Sequence, residues 1–391
     1  MIVFTFPGQG SQKPGMGEPW RDHPSWELVD EASAIAGRDL SRLLLDADAD
    51  ELRSTDNAQM STFLTSLVVL DAVERVGVEP AAAAGHSLGE YTALVAGGTL
   101  SLDDGVRLVQ ERGAAMLEAA RDRSGTMAAV LGLDDTDVEI ACARTDGDVW
   151  VANYNAPGQV VIAGSPESVD DAAEAARELG AKKVMPMAVS GAFHTPFMAP
   201  ARERLRKAIG DADLRAPDID LFANVDARVH DRADEWGGLL AAQLCSPVRW
   251  RQTLLHLGDA GATVYVELGA GNVLTGMAKR TVQGATTISV SAPDDLDKLL
   301  STLAVPSAAS AGVHEGEHLF ATERLVVSPG TGVFTPLPDI DAGSAVEPGT
   351  VLGTVGEHEV RSPFAGVVMG MLAVTGERVT TSQPIAWLRA S

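Results

Sequence analysis

Ala83-Ala84-Gly85-His86-Ser87-Leu88-Gly89-Glu90 contains Gly-x-Ser-x-Gly, the pattern of a serine held at the tip of a sharp strand-to-helix turn. A small-residue run, Ala81 to Ala84, leads in, and the helix-forming segment Glu90-Tyr91-Thr92-Ala93-Leu94-Val95-Ala96 leads out. The glycines have a steric task. Side chains at Gly85 and Gly89 would collide where strand and helix meet, so their absence lets the turn close. Ser87 then sits at the tip, with strained dihedrals and its hydroxyl near the positive end of the following helix. Taken alone, the same pattern also fits an ordinary serine in a small-residue turn. The remainder of the chain decides between the two.

The 391 residues allow two or three domains, and the 45% hydrophobic fraction suits a buried core. The net charge of −24 argues against a nucleic-acid partner. An acidic macromolecular partner would need a local basic patch, and Lys182, Lys183, Arg202, Arg206, Lys279 and Arg280 are the candidates. Charge reversal that leaves such a partner's KM unchanged removes a residue from that set. The opening Met1-Ile2-Val3-Phe4-Thr5-Phe6 reads as a strand, without a basic leader or a small-residue cleavage site. No apolar run reaches the roughly 20 residues of a membrane span, so no membrane insertion is expected. Cys142 and Cys245 are the two cysteines. Their distance in sequence predicts reduced thiols and a cytoplasmic home.

In chain order, the first strand runs into Pro7-Gly8-Gln9-Gly10-Ser11-Gln12. No Gly-Lys-Ser/Thr follows, so this loop is not a Walker phosphate cradle. It reads either as a plain turn or as a loop pointing an N–H into a site at the strand's carboxyl end. Residues 24–48 and 56–77 read as helices, the second apolar almost all round and therefore buried. A helix starting at Ser101 carries Arg112 among apolar and small residues. That arginine is either a surface side chain with a buried stem or a fork for a substrate carboxylate. From Gly125 the order is strand 126–131, helix 136–144, strands 149–154 and 160–163, helix 165–179 and strand 183–188. This βαββαβ order is that of a ferredoxin-like unit inserted in a larger α/β domain. His194, on the loop Ser190-Gly191-Ala192-Phe193-His194, is placed to act as a base. The larger domain resumes with a basic helix over 198–209, strands near 220–224 and 263–267, and the loop Gly269-Ala270-Gly271-Asn272 entering a helix.

Residues 305–318 read as a linker. Beyond them Ser328-Pro329-Gly330-Thr331-Gly332-Val333 matches Ser362-Pro363-Phe364-Ala365-Gly366-Val367. Gly343-Ser344-Ala345-Val346 likewise matches Gly376-Glu377-Arg378-Val379. Two similar halves of short strands predict a small flattened β-barrel or sandwich with quasi-twofold symmetry.

With these residues assembled, the region from 1 to about 300 resembles bacterial malonyl-CoA:acyl-carrier-protein transacylases. The match runs through Phe6-Pro7-Gly8-Gln9-Gly10-Ser11-Gln12, Gly85-His86-Ser87-Leu88-Gly89-Glu90, Gln110-Glu111-Arg112-Gly113 and Asn153-Tyr154-Asn155-Ala156-Pro157-Gly158-Gln159. It continues through Gly191-Ala192-Phe193-His194, Ser246-Pro247-Val248-Arg249-Trp250 and Glu267-Leu268-Gly269-Ala270-Gly271. One departure is Met60, after Gln59, where the family commonly has proline. The resemblance implies an α/β-hydrolase-like subdomain over 1–124 and 196–304, a ferredoxin-like subdomain over 125–195, and malonyl transfer from malonyl-CoA to acyl carrier protein for fatty acid synthesis. It implies Ser87 as nucleophile and His194 as base and later acid. The N–H groups of Gln9 and Leu88 would form the oxyanion hole, and Arg112 would bind the malonyl carboxylate. The backbone carbonyl of Gln243 would orient His194, and Asn155 would assist. Phe193 resembles the malonyl-selecting pattern, where methylmalonyl-selecting relatives carry a smaller serine. No cofactor and no metal are implied.

Residues 319–391 resemble the biotinyl/lipoyl-like domains, which present a modifiable lysine on the hairpin between their halves. Here that hairpin reads Thr354-Val355-Gly356-Glu357-His358-Glu359, and no lysine follows Lys298. The expectation is an unmodified interaction or packing module. Three other readings of the whole chain stand beside malonyl transfer for fatty acids. They are a trans-acting acyltransferase for polyketide assembly, a serine thioesterase or lipid hydrolase, and a noncatalytic scaffold. Arg112 disfavours a hydrolase of neutral acyl chains, and an intact Ser87, His194 and Arg112 disfavour a scaffold.

Overall fold

Strand β1 (Ile2–Phe6) buries Val3, Phe4 and Phe6 completely and forms the middle of a parallel sheet. An alternating pattern cannot bury successive residues on both faces, so a near-continuous apolar run is what a doubly covered parallel strand needs. The computed structural model describes residues 1–189, 191–304, 323–338, 340–356, 358–362, 365–380 and 383–390. The chain divides into two compact units, Met1–Pro306 and Ser307–Ser391. The expected linker, 305–318, lies outside the described residues.

In the first unit β1 is followed by α1 (Glu27–Ala36), α2 (Leu40–Leu45), α3 (Thr55–Arg75), β2 (Ala82–Gly85), α4 (Gly89–Ala96) and α5 (Leu102–Asp122). An excursion follows: β3 (Thr126–Leu131), α6 (Asp135–Arg144), β4 (Val149–Ala156), β5 (Gln159–Gly164), α7 (Pro166–Glu178) and β6 (Lys183–Pro186). The chain then returns through α8 (Ala199–Asp211), β7 (Asp220–Phe222), α9 (Ala233–Gln243), α10 (Trp250–Asp259), β8 (Val264–Leu268), α11 (Val273–Thr281), β9 (Thr286–Val290) and α12 (Asp294–Ala304). Among the described residues the parallel sheet has the order β7-β2-β1-β8-β9, and the excursion forms an antiparallel sheet, β4-β5-β3-β6.

Strand β2 is three alanines and a glycine, all buried. Its small side chains let α4 and its neighbours approach the sheet closely. The apolar α3 is buried along most of its length, with Phe63, Leu64, Val68 and Val69 in the main core. Each such side chain contributes roughly 1.5–3 kcal/mol on burial. The antiparallel sheet is tied to the loop between α9 and α10 where Asn153 bridges Val248: the Tyr154 N–H donates to the Val248 carbonyl and the Val248 N–H to that of Ala152, both at 2.9 Å. No helix among the described residues is long and apolar enough to cross a membrane.

Two expectations need correction. The helix expected over 24–48 is a 3-10 turn followed by α1 and α2. Gly37, at φ 64°, ends α1, and the Asp39 carboxylate caps α2 by accepting the Arg42 N–H at 2.9 Å. The strand expected to reach residue 188 stops at Pro186, because the Val189 N–H turns back onto the Met187 carbonyl. Helices α9, α10 and α12 and strand β9 were not anticipated. α9 carries apolar residues without a clean 3.6-residue alternation of polar positions, whereas α10 buries Trp250, Thr253, Leu254 and Leu257 at helical spacing, a signal present in the sequence.

The second unit contains β10 (Glu323–Val327), β11 (Gly332–Pro336), β12 (Ala345–Val346), β13 (Val351–Val355), β14 (His358–Arg361), β15 (Gly366–Met371), β16 (Arg378–Val379) and β17 (Pro384–Ala390). Its sheets are ordered β10-β17-β15-β12 and β14-β13-β11-β16. Exchanging each strand of the first half with its counterpart four later converts one order into the other. The sequence repeat is therefore a structural one: Gly332 and Gly366 begin β11 and β15, and the second match falls on β12 and β16. Phe334, Leu352, Val355, Val360, Val368, Ile385 and Leu388 fill the space between the sheets. Pro363, Phe364 and Glu357 of the quoted stretches lie outside the described residues.

Candidate active site

Ser87 stands on a turn that glycine alone permits. A Cβ on Gly85 would lie 1.8 Å from the Gly89 carbonyl carbon, and one on Gly89 would lie 2.0 Å from the Phe6 oxygen. Both obstacles are backbone, so neither can swing aside. Gly85→Ala is expected to destroy the turn and lower the unfolding free energy by more than about 3 kcal/mol. Thermal and urea unfolding check this, and a variant that melts with the wild type refutes the steric argument. Ser87 itself adopts φ 53°, and His194 φ 61°. Two non-glycine residues in the left-handed region store strain where two functional atoms meet.

The carboxyl ends of β1, β2, β7 and β8 converge here. Asn224, just beyond β7, fastens the turn. Its Oδ1 accepts the Ser87 N–H at 2.7 Å and its Nδ2 donates to the Gly85 carbonyl at 2.7 Å. Ser87 Oγ lies 2.8 Å from His194 Nε2, and His194 Nδ1 lies 2.9 Å from the Gln243 carbonyl oxygen. A carbonyl only accepts, so Nδ1 carries the hydrogen and Nε2 is free to accept the serine proton. Burial, then the nearby Arg112 charge, pushes His194 down to about 3. A neutral imidazole at neutral pH is the state a base requires.

That depression has a consequence for stability. Folded His194 resists protonation that the unfolded chain accepts near 6.5. Its stabilisation is whole above pH 6.5 and is lost as pH falls from there towards 3, at up to about 1.4 kcal/mol per unit. His194→Gln should lack this slope. Unfolding free energies of both proteins between pH 7 and 4.5 test it, and parallel profiles would refute it.

Arg112 projects from α5 and is 1% exposed. Of the two sequence readings, the surface arginine is excluded. Its Nη2 donates to Ser87 Oγ at 3.2 Å and to Gln243 Oε1 at 2.9 Å, and its Nη1 donates to Gln59 Oε1. Its Nε has no hydrogen-bond partner, and its guanidinium carbon lies 5.5 Å from the Tyr91 ring centre. Among the described residues no carboxylate forms an ion pair with it. A buried cation held only by neutral groups is poised to take an anion.

A cavity of about 300 Å³ opens beside Ser87, His194 and Arg112. Gln9, Asn155 and Phe193 are among the residues that line it. Asn155 Oδ1 lies 2.8 Å from His86 Nε2. Burial lowers the His86 pKa, so this imidazole is neutral and donates that hydrogen, leaving the Asn155 NH2 for the cavity. Among the described residues the backbone N–H groups of Gln9 and Leu88 have no hydrogen-bond partner. Of the six basic residues considered as a patch, Arg202 and Arg206 both pair with Glu203, while Arg280 donates to Gln159 at the cavity wall.

Three residues escaped the sequence reading: Gln59, Asn224 and Glu90. Each is a polar side chain in a buried setting, which was the available signal. Gln59 sits in an apolar helix, and Glu90 is 1% exposed in the first turn of α4. Gln243 was anticipated only for its carbonyl, yet its side chain is fully used.

The Acyl transferase domain family model matches residues 3–312. The malonyl CoA-acyl carrier protein transacylase of Bacillus subtilis strain 168 is 40% identical over 307 residues, covering 77% of this chain and 97% of that protein. The crystal structure of an acyl-carrier-protein S-malonyltransferase from Burkholderia pseudomallei 1710b superposes with TM-score 0.74 at 40% identity, covering 77% and 99% of the two chains. A structure described as a type II polyketide acyl-carrier protein in complex with its malonyl-transacylase has TM-score 0.75 at 34% identity, covering 77% and 99%. A serine–histidine pair beside a buried, unpaired arginine, on a fold shared over nearly the full length of these proteins, leaves one assignment: the chain belongs to the acyl transferase family.

Proposed function

We propose that the protein transfers a malonyl group from malonyl-CoA to the phosphopantetheine thiol of an acyl carrier protein, through an acyl-enzyme on Ser87. The observation that carries this reading is the Ser87–His194 pair at 2.8 Å with the Arg112 guanidinium, which no carboxylate among the described residues pairs directly, 3.2 Å from the same oxygen. His194 Nε2 takes the serine proton as Oγ attacks the thioester carbonyl. The oxyanion is received by the N–H groups of Gln9 and Leu88, each such donor being worth roughly 3–4 kcal/mol of barrier. As the C–S bond breaks, His194 returns the proton to the departing coenzyme A sulfur. The carrier thiol then gives its proton to His194 and attacks the ester carbonyl, and as the C–O bond breaks His194 passes that proton to Ser87 Oγ, releasing the malonyl thioester and restoring Ser87. Arg112 holds the malonyl carboxylate, Asn155 offers its amide to the substrate, Phe193 narrows the acyl pocket, and the Gln243 carbonyl keeps the imidazole in its working tautomer. The chemistry asks for no cofactor and no metal.

The finer architecture belongs to the same reading. Segments 1–124 and 196–304 are α/β-hydrolase-like. Segment 125–195 is ferredoxin-like, which the strand order 2-3-1-4 of its sheet supports. Segment 319–391 is biotinyl/lipoyl-like, which the interchangeable strand orders support. With no lysine after Lys298, that unit is unmodified. The activity is a cytoplasmic one supplying fatty acid synthesis. Supply of a polyketide carrier is the second reading, favoured by the likeness to the polyketide transacylase complex.

The test is intact mass after incubation with malonyl-CoA and, separately, acetyl-CoA. Malonyl-CoA is expected to leave a covalent malonyl adduct and acetyl-CoA far less, and added carrier protein should remove the adduct and become acylated. Rapid release of free malonate without transfer would turn the reading to a hydrolase. The same spectrum tests the second unit, since a biotin or lipoyl mass increment would contradict the unmodified module.

A further inference from the structure

Glu90 is a buried carboxylate close to the reacting atoms, and among the described residues it forms no hydrogen bond to Ser87 Oγ, His194 or the Arg112 guanidinium. Its Oε1 accepts the Asn224 backbone N–H at 2.8 Å, and its Oε2 accepts a hydrogen from Gln243 Nε2. The second hydrogen of that nitrogen goes to the Ser87 carbonyl at 2.8 Å. The Ser87 carbonyl and the ionised Glu90 carboxylate only accept, so they claim both hydrogens of the Gln243 amide nitrogen. The Gln243 oxygen has one place left to face, and there it meets Arg112 Nη2 at 2.9 Å.

We infer that Glu90 is a positioning residue: with the Ser87 carbonyl it sets the orientation of the Gln243 side-chain amide, and so holds the Arg112 guanidinium beside Ser87 for an acyl carboxylate. The inference rests on the malonyl reading of Arg112. Its physical interest lies in the spacing. A carboxylate bonded directly to Arg112 would neutralise it and compete with the substrate. Placed behind Gln243, Glu90 steadies the buried cation at a distance while the Arg112 Nε–H stays without a partner. The arrangement supplies selectivity from a group that the substrate never meets.

Glu90→Gln separates the two branches of the network. The new side-chain oxygen still accepts the Asn224 N–H, so the bonds by which Asn224 fastens the serine turn are kept. The new NH2 faces Gln243, whose amide must reverse to offer its oxygen and so gives up its hydrogen bond to the Ser87 carbonyl. Its own NH2 then faces Arg112, donor against donor, and the guanidinium is displaced. The expected result is a KM for malonyl-CoA raised about tenfold or more with a smaller change in kcat. Acylation of Ser87 by p-nitrophenyl acetate, which has no carboxylate for Arg112, should stay within about threefold of wild type.

A second measurement needs no variant. Burial pushes Glu90 up to about 7, against opposing contributions from the Asn224 and Gln243 hydrogen bonds and the Arg112 charge, with Asp226 adding repulsion. Tyr91 and Arg112 are the other ionisable groups coupled to it, and neither changes charge near neutrality. Protonated Glu90 becomes a donor and reverses Gln243 just as the amide does. The wild-type KM for malonyl-pantetheine, which lacks titrating phosphates, should therefore rise as pH falls from 8.5 to 5.5. Ester acylation should not follow that titration.

An unchanged malonyl KM in Glu90→Gln, or a flat wild-type profile, overturns the inference. So does loss of malonyl and ester acylation together in a folded variant, because that outcome makes Glu90 a support of the serine turn. If wild-type protein is not acylated by malonyl-CoA at all, the functional reading fails first and takes this inference with it.

Discussion

Ser87→Ala is expected to abolish the acyl-enzyme and to lower malonyl transfer by about 10⁴–10⁶-fold. The loss is that of a covalent route and not of binding, so it should appear in kcat with the malonyl-CoA KM little changed. The substitution removes one oxygen. The Ser87 N–H bond to Asn224 and the carbonyl bond from Gln243 belong to the main chain and persist. Alanine meets the same strained φ that serine already adopts, so the melting temperature should stay within a few degrees of wild type. Intact mass after malonyl-CoA incubation and steady-state transfer to carrier protein are the two measurements. A malonyl adduct on the variant would place the nucleophile elsewhere and remove the basis for the mechanism.

The second large effect concerns Arg112. In Arg112→Ala, kcat/KM for malonyl-CoA should fall about 10²–10⁴-fold, the size expected when a buried, forked partner of a carboxylate is removed. Acetyl-CoA has no carboxylate to lose. Its acylation of Ser87 should hold steady or improve, since in wild type it leaves the buried guanidinium unmatched. The ratio of the two substrates should therefore collapse even though Ser87 and His194 remain. Competition of labelled malonyl-CoA and acetyl-CoA for the same enzyme measures that ratio directly. An unaltered ratio would mean that the carboxylate is held by some other group, and the unpaired guanidinium would need another explanation.

Local sequence carried much of this site because part of its geometry is covalent and steric. Gly85 and Gly89 had to be glycine for the turn to close, and the tertiary contacts bear that out at 1.8 and 2.0 Å. The βαββαβ order and the repeat in the last 70 or so residues were visible because their strands are short and bounded by glycine turns. The site residues that the family resemblance implied, Gln9, Asn155, Arg112, Phe193, His194 and Gln243, do gather around Ser87 in the fold. Where the reading went astray, a cap had been overlooked: Gly37 and Asp39 divide a stretch whose apolar pattern runs on without interruption.

What the sequence by itself determined is the serine at a forced turn, the alternation of strands and helices, and the identity of the groups available for chemistry. What only the tertiary structure decided is which of those groups meet, and in what electrical setting. Arg112 reaches Gln59 across 53 residues and Gln243 across 131, and Glu90 reaches Gln243 across 153. No periodicity spans such distances. Burial turned an arginine that could have lain on the surface into an unpaired cation, drove His194 to its neutral form, and made Glu90 part of the site. The physical reason is that desolvation and hydrogen-bond direction are properties of a packed interior, and they take their values only when separate segments close around the same few atoms.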